Sequence, residues 1–386
     1  MANSSFRRIE VVISDLSLRI QQTRRNQSKQ TRAKTRKVLT CFWLFGYKWG
    51  ASRKNSTRIL NTILIKNKYA SQTAQKPGKN VILLIVSALA LCASPGTTLG
   101  ESCIGQTNWN VPSGNWFVAA NWSAGVPNSG TSAQINNGGT ATIGSTGAAS
   151  CDLTLGGAAT EFGTVVVDHG AYAITFDAAV GGYGNGVLTI TNGGTVTAAL
   201  AAIAAVAGSN SAATVTGTNS QWTLSGELDV GAGGTGLLTV TNSAAVTADS
   251  VHVYTSGTVT GNSTVSTTNG TTVEGTIEPS SGTLSMGGGL SLQGSATTRC
   301  NVTPQAADNV SVSGMASLDG RLSVIMTGTF TCGTTRYTLP HASGGLSGTE
   351  FASVSIRYPT NQGFVPHITY DGDYVYLDLV FNNPCG

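Results

Sequence analysis

Two stretches of this sequence, fifty residues apart, are versions of one another. Val180 to Ala198 (VGGYGNGVLTITNGGTVTA) aligns with Val230 to Ala248 (VGAGGTGLLTVTNSAAVTA), and 11 of the 19 positions are identical. The same offset pairs Thr164-Val165 with Thr214-Val215, Tyr172 with Trp222, Ile174 with Leu224, and Asp177 with Glu227, so two units tile 164–213 and 214–263. Repeats of about 20–50 residues belong to solenoids, propellers and arrays. Within the units, apolar and Thr/Ser residues alternate (LTIT, TVTA, WTLSG, LLTVT) between glycine and asparagine turns. Period-two alternation rich in β-branched residues means strands. A propeller needs more blades than two recognisable units supply, whereas a solenoid coil need only present an apolar strand face to its neighbours.

The expected architecture is therefore all-β. Leu188 and Ile190, with Leu238 and Val240, should point inward, and Thr189, Thr191, Thr239 and Thr241 outward. Asn192 and Asn242 should sit at turns, where asparagine tolerates left-handed backbone. At roughly 20–25 residues per coil and about 4.8 Å between coils, residues 150–330 would form about eight coils, roughly 40 Å long. Ala199 to Ala207 (ALAAIAAVA) is the one candidate helix, yet it aligns with a strand-and-turn region of the repeat.

Charge divides the 386 residues in two. Residues 1–100 hold 18 of the 22 Lys+Arg and only Glu10 and Asp15 as acids; the remaining 286 contain no lysine, four arginines and 16 acids, a balance of −12. The acidic part also holds 44 of the 49 glycines. A nucleic-acid partner is excluded on this basis, because binding needs basic residues on the folded domain to displace phosphate counterions. Residues 1–75 read as a basic, mostly disordered extension, with a solvated charge run over residues 19–37. Within 76–100, Lys76 and Lys79 precede the apolar run Val81 to Ala93 and then small residues, the form of a secretory signal peptide. Cleavage is expected after Ala93 or Gly100. Leu91 before Cys92 argues against a lipoprotein site, which wants a small residue there.

The exported part carries Cys103, Cys151, Cys300, Cys332 and Cys385. In an oxidising compartment pairs are expected, and proximity in sequence suggests Cys103 with Cys151 and Cys300 with Cys332, although four cysteines allow three connectivities. Trp109, Trp116 and Trp122 have two readings: an aromatic platform for sugar rings, or a plug over the open end of the solenoid core. Catalytic motifs are scarce. Gly231 to Gly236 satisfies G-x-G-x-x-G but precedes a strand, and in Gly181 to Gly186 a glycine stands where a calcium-binding nonapeptide needs aspartate. The acids Asp168 (beside His169), Asp177, Glu227 and Asp229 are the candidates for paired carboxylates, with Asp177 and Glu227 expected two coils apart. No basic residue lies among the repeats to hold an acidic sugar, so a solvated acidic face is the favoured reading and no cofactor or metal is expected.

Taken together, these residues resemble the passenger region of bacterial autotransporters, the type V secretion family. LDVGAGGTGLLTVTN and AAVGGYGNGVLTITNGGTVTA are similar to the repeat shared by type V secretion and PEP-CTERM-associated proteins. Thr107 to Ile143 resembles the tryptophan-rich start of such passengers; Gly275 to Gly294, Arg336 to Val354 and Ile368 to Phe381 resemble their ends. The resemblance implies a right-handed parallel β-helix on the cell surface, secreted or periplasmic, with 101–160 as an N-terminal cap, 161–335 as β-helix repeats and 336–386 as a passenger-like β segment. The family's membrane β-barrel is not in this sequence. That leaves a truncated autotransporter, a passenger served by a separate outer-membrane barrel, or a secreted protein. The expected role is structural or adhesive and non-enzymatic, with host or matrix components or glycans as partners. A secreted carbohydrate-binding or polysaccharide-cleaving β-helix is the alternative.

Overall fold

The computed structural model describes residues 103–331, 336–360 and 363–382. The basic extension, the signal-like segment, Cys332 and Cys385 lie outside them. The described chain is a parallel β-helix. Its strands form three sheets of ten, eleven and eleven strands, each running the length of the stack. One coil passes through Asp177–Val180 in the first sheet, Asn185–Thr191 in the second and Thr195–Ala198 in the third, then re-enters the first sheet one rung on at Leu200–Ile203. The candidate helix at Ala199 to Ala207 is this last strand and the turn after it. Among the described residues the single helical element is a 3-10 turn at Ala119–Asn121.

Strand register explains the fifty-residue period. Asp177 pairs with Leu200 and Ala201 with Leu228, which are steps of 23 and 27 residues. A sequence unit is thus two coils, unequal when counted along the first sheet, whereas in the second sheet Val187, Ala212 and Leu237 follow one another at equal steps of 25. Coil stacking starts at Gly105–Asn108, paired with Thr131–Ile135, so the ladder already runs through the segment 101–160 read as the N-terminal cap of the solenoid. At the far end, Arg336–Ala342 still joins the third sheet in parallel, but Phe364–Tyr370 and Tyr374–Phe381 form an antiparallel hairpin on its edge.

Alternation builds the core. Val167, Ile190, Val215 and Val240 stack as one column of mutually paired positions, and Val165, Leu188, Ala213 and Leu238 as the next; all eight are fully buried. Each Val, Leu or Ile among them contributes about 1.5–3 kcal/mol by leaving water. The threonines between them line the outside. Asn192 and Asn242 occupy left-handed backbone at φ 53° and 58°, and the Asn192 side-chain amide donates to Asp168 Oδ1 on the neighbouring coil at 2.8 Å. Glycine is needed where the chain turns from the first sheet into the second: a Cβ on Gly186 would lie 2.4 Å from the Gly181 nitrogen, and one on Gly236 would lie 2.4 Å from the Gly231 nitrogen. The G-x-G-x-x-G string is therefore a coil corner.

Trp109, Trp116 and Trp122 are 2%, 0% and 4% exposed. Trp122 sits edge-on to both of the others at 4.9 and 4.7 Å, Trp116 leans on Tyr172 at 4.8 Å, and the Trp122 indole N–H donates to the Trp116 carbonyl. They cover the apolar end of the first coils and leave no free ring face for a sugar. Tyr172 and Trp222 lie two coils apart in the core with Val196 between them. Cys103 and Cys151 are disulfide-bonded. Cys300 is a free, fully buried thiol pushed well above the usual range by desolvation and by Asp308. Against the expected pairing with Cys332, which lies outside the described residues, Cys300 occupies an inward-facing strand position register-paired with Val324 in the core.

Candidate functional site

The sequence candidates do not gather in one place. Asp168 and His169 are a turn: His169 has φ 47°, its Nδ1 lies 3.3 Å from Asp168 Oδ1, and Asp168 is held below the usual carboxylate range, first by the Asn192 hydrogen bond and then by that from His169. Asp177 stacks on Leu200 and Leu200 on Glu227, so the two carboxylates are two rungs apart, about 10 Å at the backbone. A retaining glycosidase pair wants its carboxyl groups about 5–5.5 Å apart. Burial and the charge of Asp152 raise Asp177. Asp152 itself is close to Cys103, but the disulfide leaves no thiolate there to ligate a metal.

Glu227 and Asp229 do have company. Both lie on the strand Glu227–Val230, separated by buried Leu228, and therefore share the outer face of the first sheet. Strand register sets His252 directly beside Asp229 on the next coil, and Glu274 follows the strand of the coil after that. The ligating atoms of Glu227, Asp229 and His252 all lie within 4.8 Å of one another. Glu274 Oε1 lies 3.5 Å from His252 Nε2, an ion-pair distance that does not complete a hydrogen bond. Tyr254 stacks on the imidazole at 3.8 Å and 19°, fixing the ring plane.

Three carboxylates thus face one imidazole, and the electrostatics are unfavourable. The Asp229 carboxyl is pushed up to about 6, first by burial and second by the Glu227 charge, against smaller opposing effects of His252 and the Tyr254 hydroxyl. Tyr254 is raised for the same reasons, burial first and then Asp229 and Glu227. Asp229 Oδ1 and His252 Nε2 are both shielded from solvent and have no hydrogen-bond partner. Buried polar atoms are nearly always satisfied, so two orphans on register-paired residues need an explanation. Such a group can take up or give a proton near neutral pH, or hold a cation.

His252, Tyr254 and Glu274 escaped the sequence reading because they lie beyond the most similar part of the repeat. The signal was nonetheless present in the offset of fifty. The positions equivalent to Asp229 and His252 in the preceding unit are Ala179 and Ala202, which also pair on the same face. The same two slots hold alanines in one unit and an acid and a histidine in the next.

Compared with models of known protein families and with curated protein sequences, the chain matches neither.

Proposed function

We propose that this chain is an exported β-helical scaffold of the autotransporter passenger kind, with a structural or adhesive role at the cell surface and no catalytic activity. The observation that carries the reading is the exterior: Thr189, Thr214, Thr239 and Thr260 form one outward column on the second sheet and Thr197, Thr223, Thr247 and Ser266 another on the third, over a core of stacked aliphatics. Such a surface offers many equivalent weak contacts to a matrix, a glycan layer or a sister cell rather than one enclosed substrate site. The signal-like segment, the Cys103–Cys151 disulfide and the acidic, lysine-free composition support export. Of the four arginines after residue 100, Arg299 is engaged by Glu278 and Arg336 by Asp378, which leaves little positive charge there for a nucleic acid. Display of the chain on a non-adherent bacterial host tests the reading: it predicts gain of surface binding or cell clumping, and unchanged behaviour would contradict it.

A second reading, a carbohydrate-active β-helix, rests on Asp229 titrating near neutrality beside Glu227. Glycan turnover that is saturable and lost in Glu227→Gln would favour it over the scaffold.

A further inference from the structure

We propose that Glu227, Asp229 and His252 bind one divalent transition-metal cation, Zn2+ by preference, with Glu274 as an additional ligand. The argument starts from charge. Three carboxylates converge on one imidazole, and no lysine or arginine occurs anywhere in the two repeat units to balance them. A protonated His252 would still leave the group net negative, and its Nε2 and Asp229 Oδ1 would still lack hydrogen-bond partners. A cation placed between them satisfies both orphaned atoms and the charge together.

Geometry and chemistry agree with this occupant. Ligand atoms on a tetrahedral zinc are about 3.3 Å apart, as follows from bonds of about 2.0–2.1 Å. The three atoms lie within 4.8 Å of one another, and rotation of the exposed Glu227 side chain would bring them to that spacing. Asp229 and His252 are already fixed, one by strand register and half-burial, the other by the Tyr254 stack. An imidazole with carboxylates suits zinc, whereas calcium takes six to eight oxygens and gains nothing from histidine. The repeat supplies a comparison within the chain: the preceding unit holds Ala179 and Ala202 in the same slots, so the coil does not require polar residues there.

That comparison also provides variants that keep the fold. Asp229→Ala and His252→Ala substitute residues that the preceding coils already carry. The experiment is calorimetric titration of the full chain, first dialysed against chelator, with ZnCl2 and in parallel with CaCl2. The expected result is one saturable zinc site per chain, no comparable calcium site, affinity lower by at least tenfold in Asp229→Ala and in His252→Ala, and unchanged affinity in His169→Gln. Absence of saturable zinc binding, or equal affinity in the Asp229→Ala and His252→Ala variants, would overturn the proposal. The His252 ring-nitrogen resonance of the unaltered chain gives a readout independent of any variant: it must move at one equivalent of zinc, and an unmoved resonance at saturation overturns the proposal equally.

Discussion

Asp229 is the residue whose chemistry departs furthest from its surroundings. Its folded-state pKa of about 6 lies above the unfolded value near 3.9, so the carboxyl favours folding in its protonated form. Its contribution is fully present below about pH 3.9 and is lost as pH rises through 6. In chelator, Asp229→Asn should therefore stabilise the fold at pH 7.5 by on the order of 1 kcal/mol, after allowing for solvent screening at a partly exposed site, which appears as a higher melting midpoint, and change little at pH 4. Thermal melts of both proteins at the two pH values measure this; equal shifts at both would contradict it. Gly236→Ala should cost about 1–3 kcal/mol, because a Cβ there meets the Gly231 backbone and no side-chain motion can relieve it. Denaturant titration measures that loss. At this scale the inward set, Leu188, Ile190, Leu238 and Val240, was legible from alternation alone, since burial on a strand has period two. The Asp229–His252 contact was not. It depends on a first-sheet step of 23 residues, which the fifty-residue repeat conceals inside the sum of 27 and 23.

At the scale of the coil, each element touches only the rungs above and below, so damage should stay local. Ile190→Ala removes a fully buried side chain between Val167 and Val215 and should cost about 2–5 kcal/mol. Hydrogen exchange should show faster opening of Phe162–Asp168, Asn185–Thr191 and Asn210–Thr216, with little change at Arg321–Met326. Uniform acceleration along the stack would mean the coils are not independent. The disulfide belongs to the same argument. It joins residues separated by 48 positions across the first coils, and replacing both Cys103 and Cys151 by serine should cost about 2–4 kcal/mol, read in the melting of the N-terminal coils. The tryptophan cluster beside it had two readings in sequence, and burial decides between them: rings 0–4% exposed close the core. Sequence could not make that choice, because aromatic residues suit both a binding platform and a plug.

At the scale of the whole molecule, the net +4 of the chain averages two segments of opposite character. The described β-helix belongs wholly to the acidic one. Its sequence period, strand alternation and turn residues all pointed to one architecture, and for that reason the fold was readable where the site was not. The solenoid also runs further toward the N-terminus than the repeat suggested, because a divergent coil such as Gly105–Asn108 keeps the ladder without keeping the sequence. The proposed export would place this helix outside the cytoplasm, released from the basic segment. The most direct test is to fractionate cells that produce the full chain and sequence the N-terminus of the product. The account predicts a surface, periplasmic or medium fraction whose chain starts just after Ala93 or Gly100, with Cys103 and Cys151 oxidised. A product confined to the cytosol, with residues 1–100 intact and both thiols reduced, would contradict it.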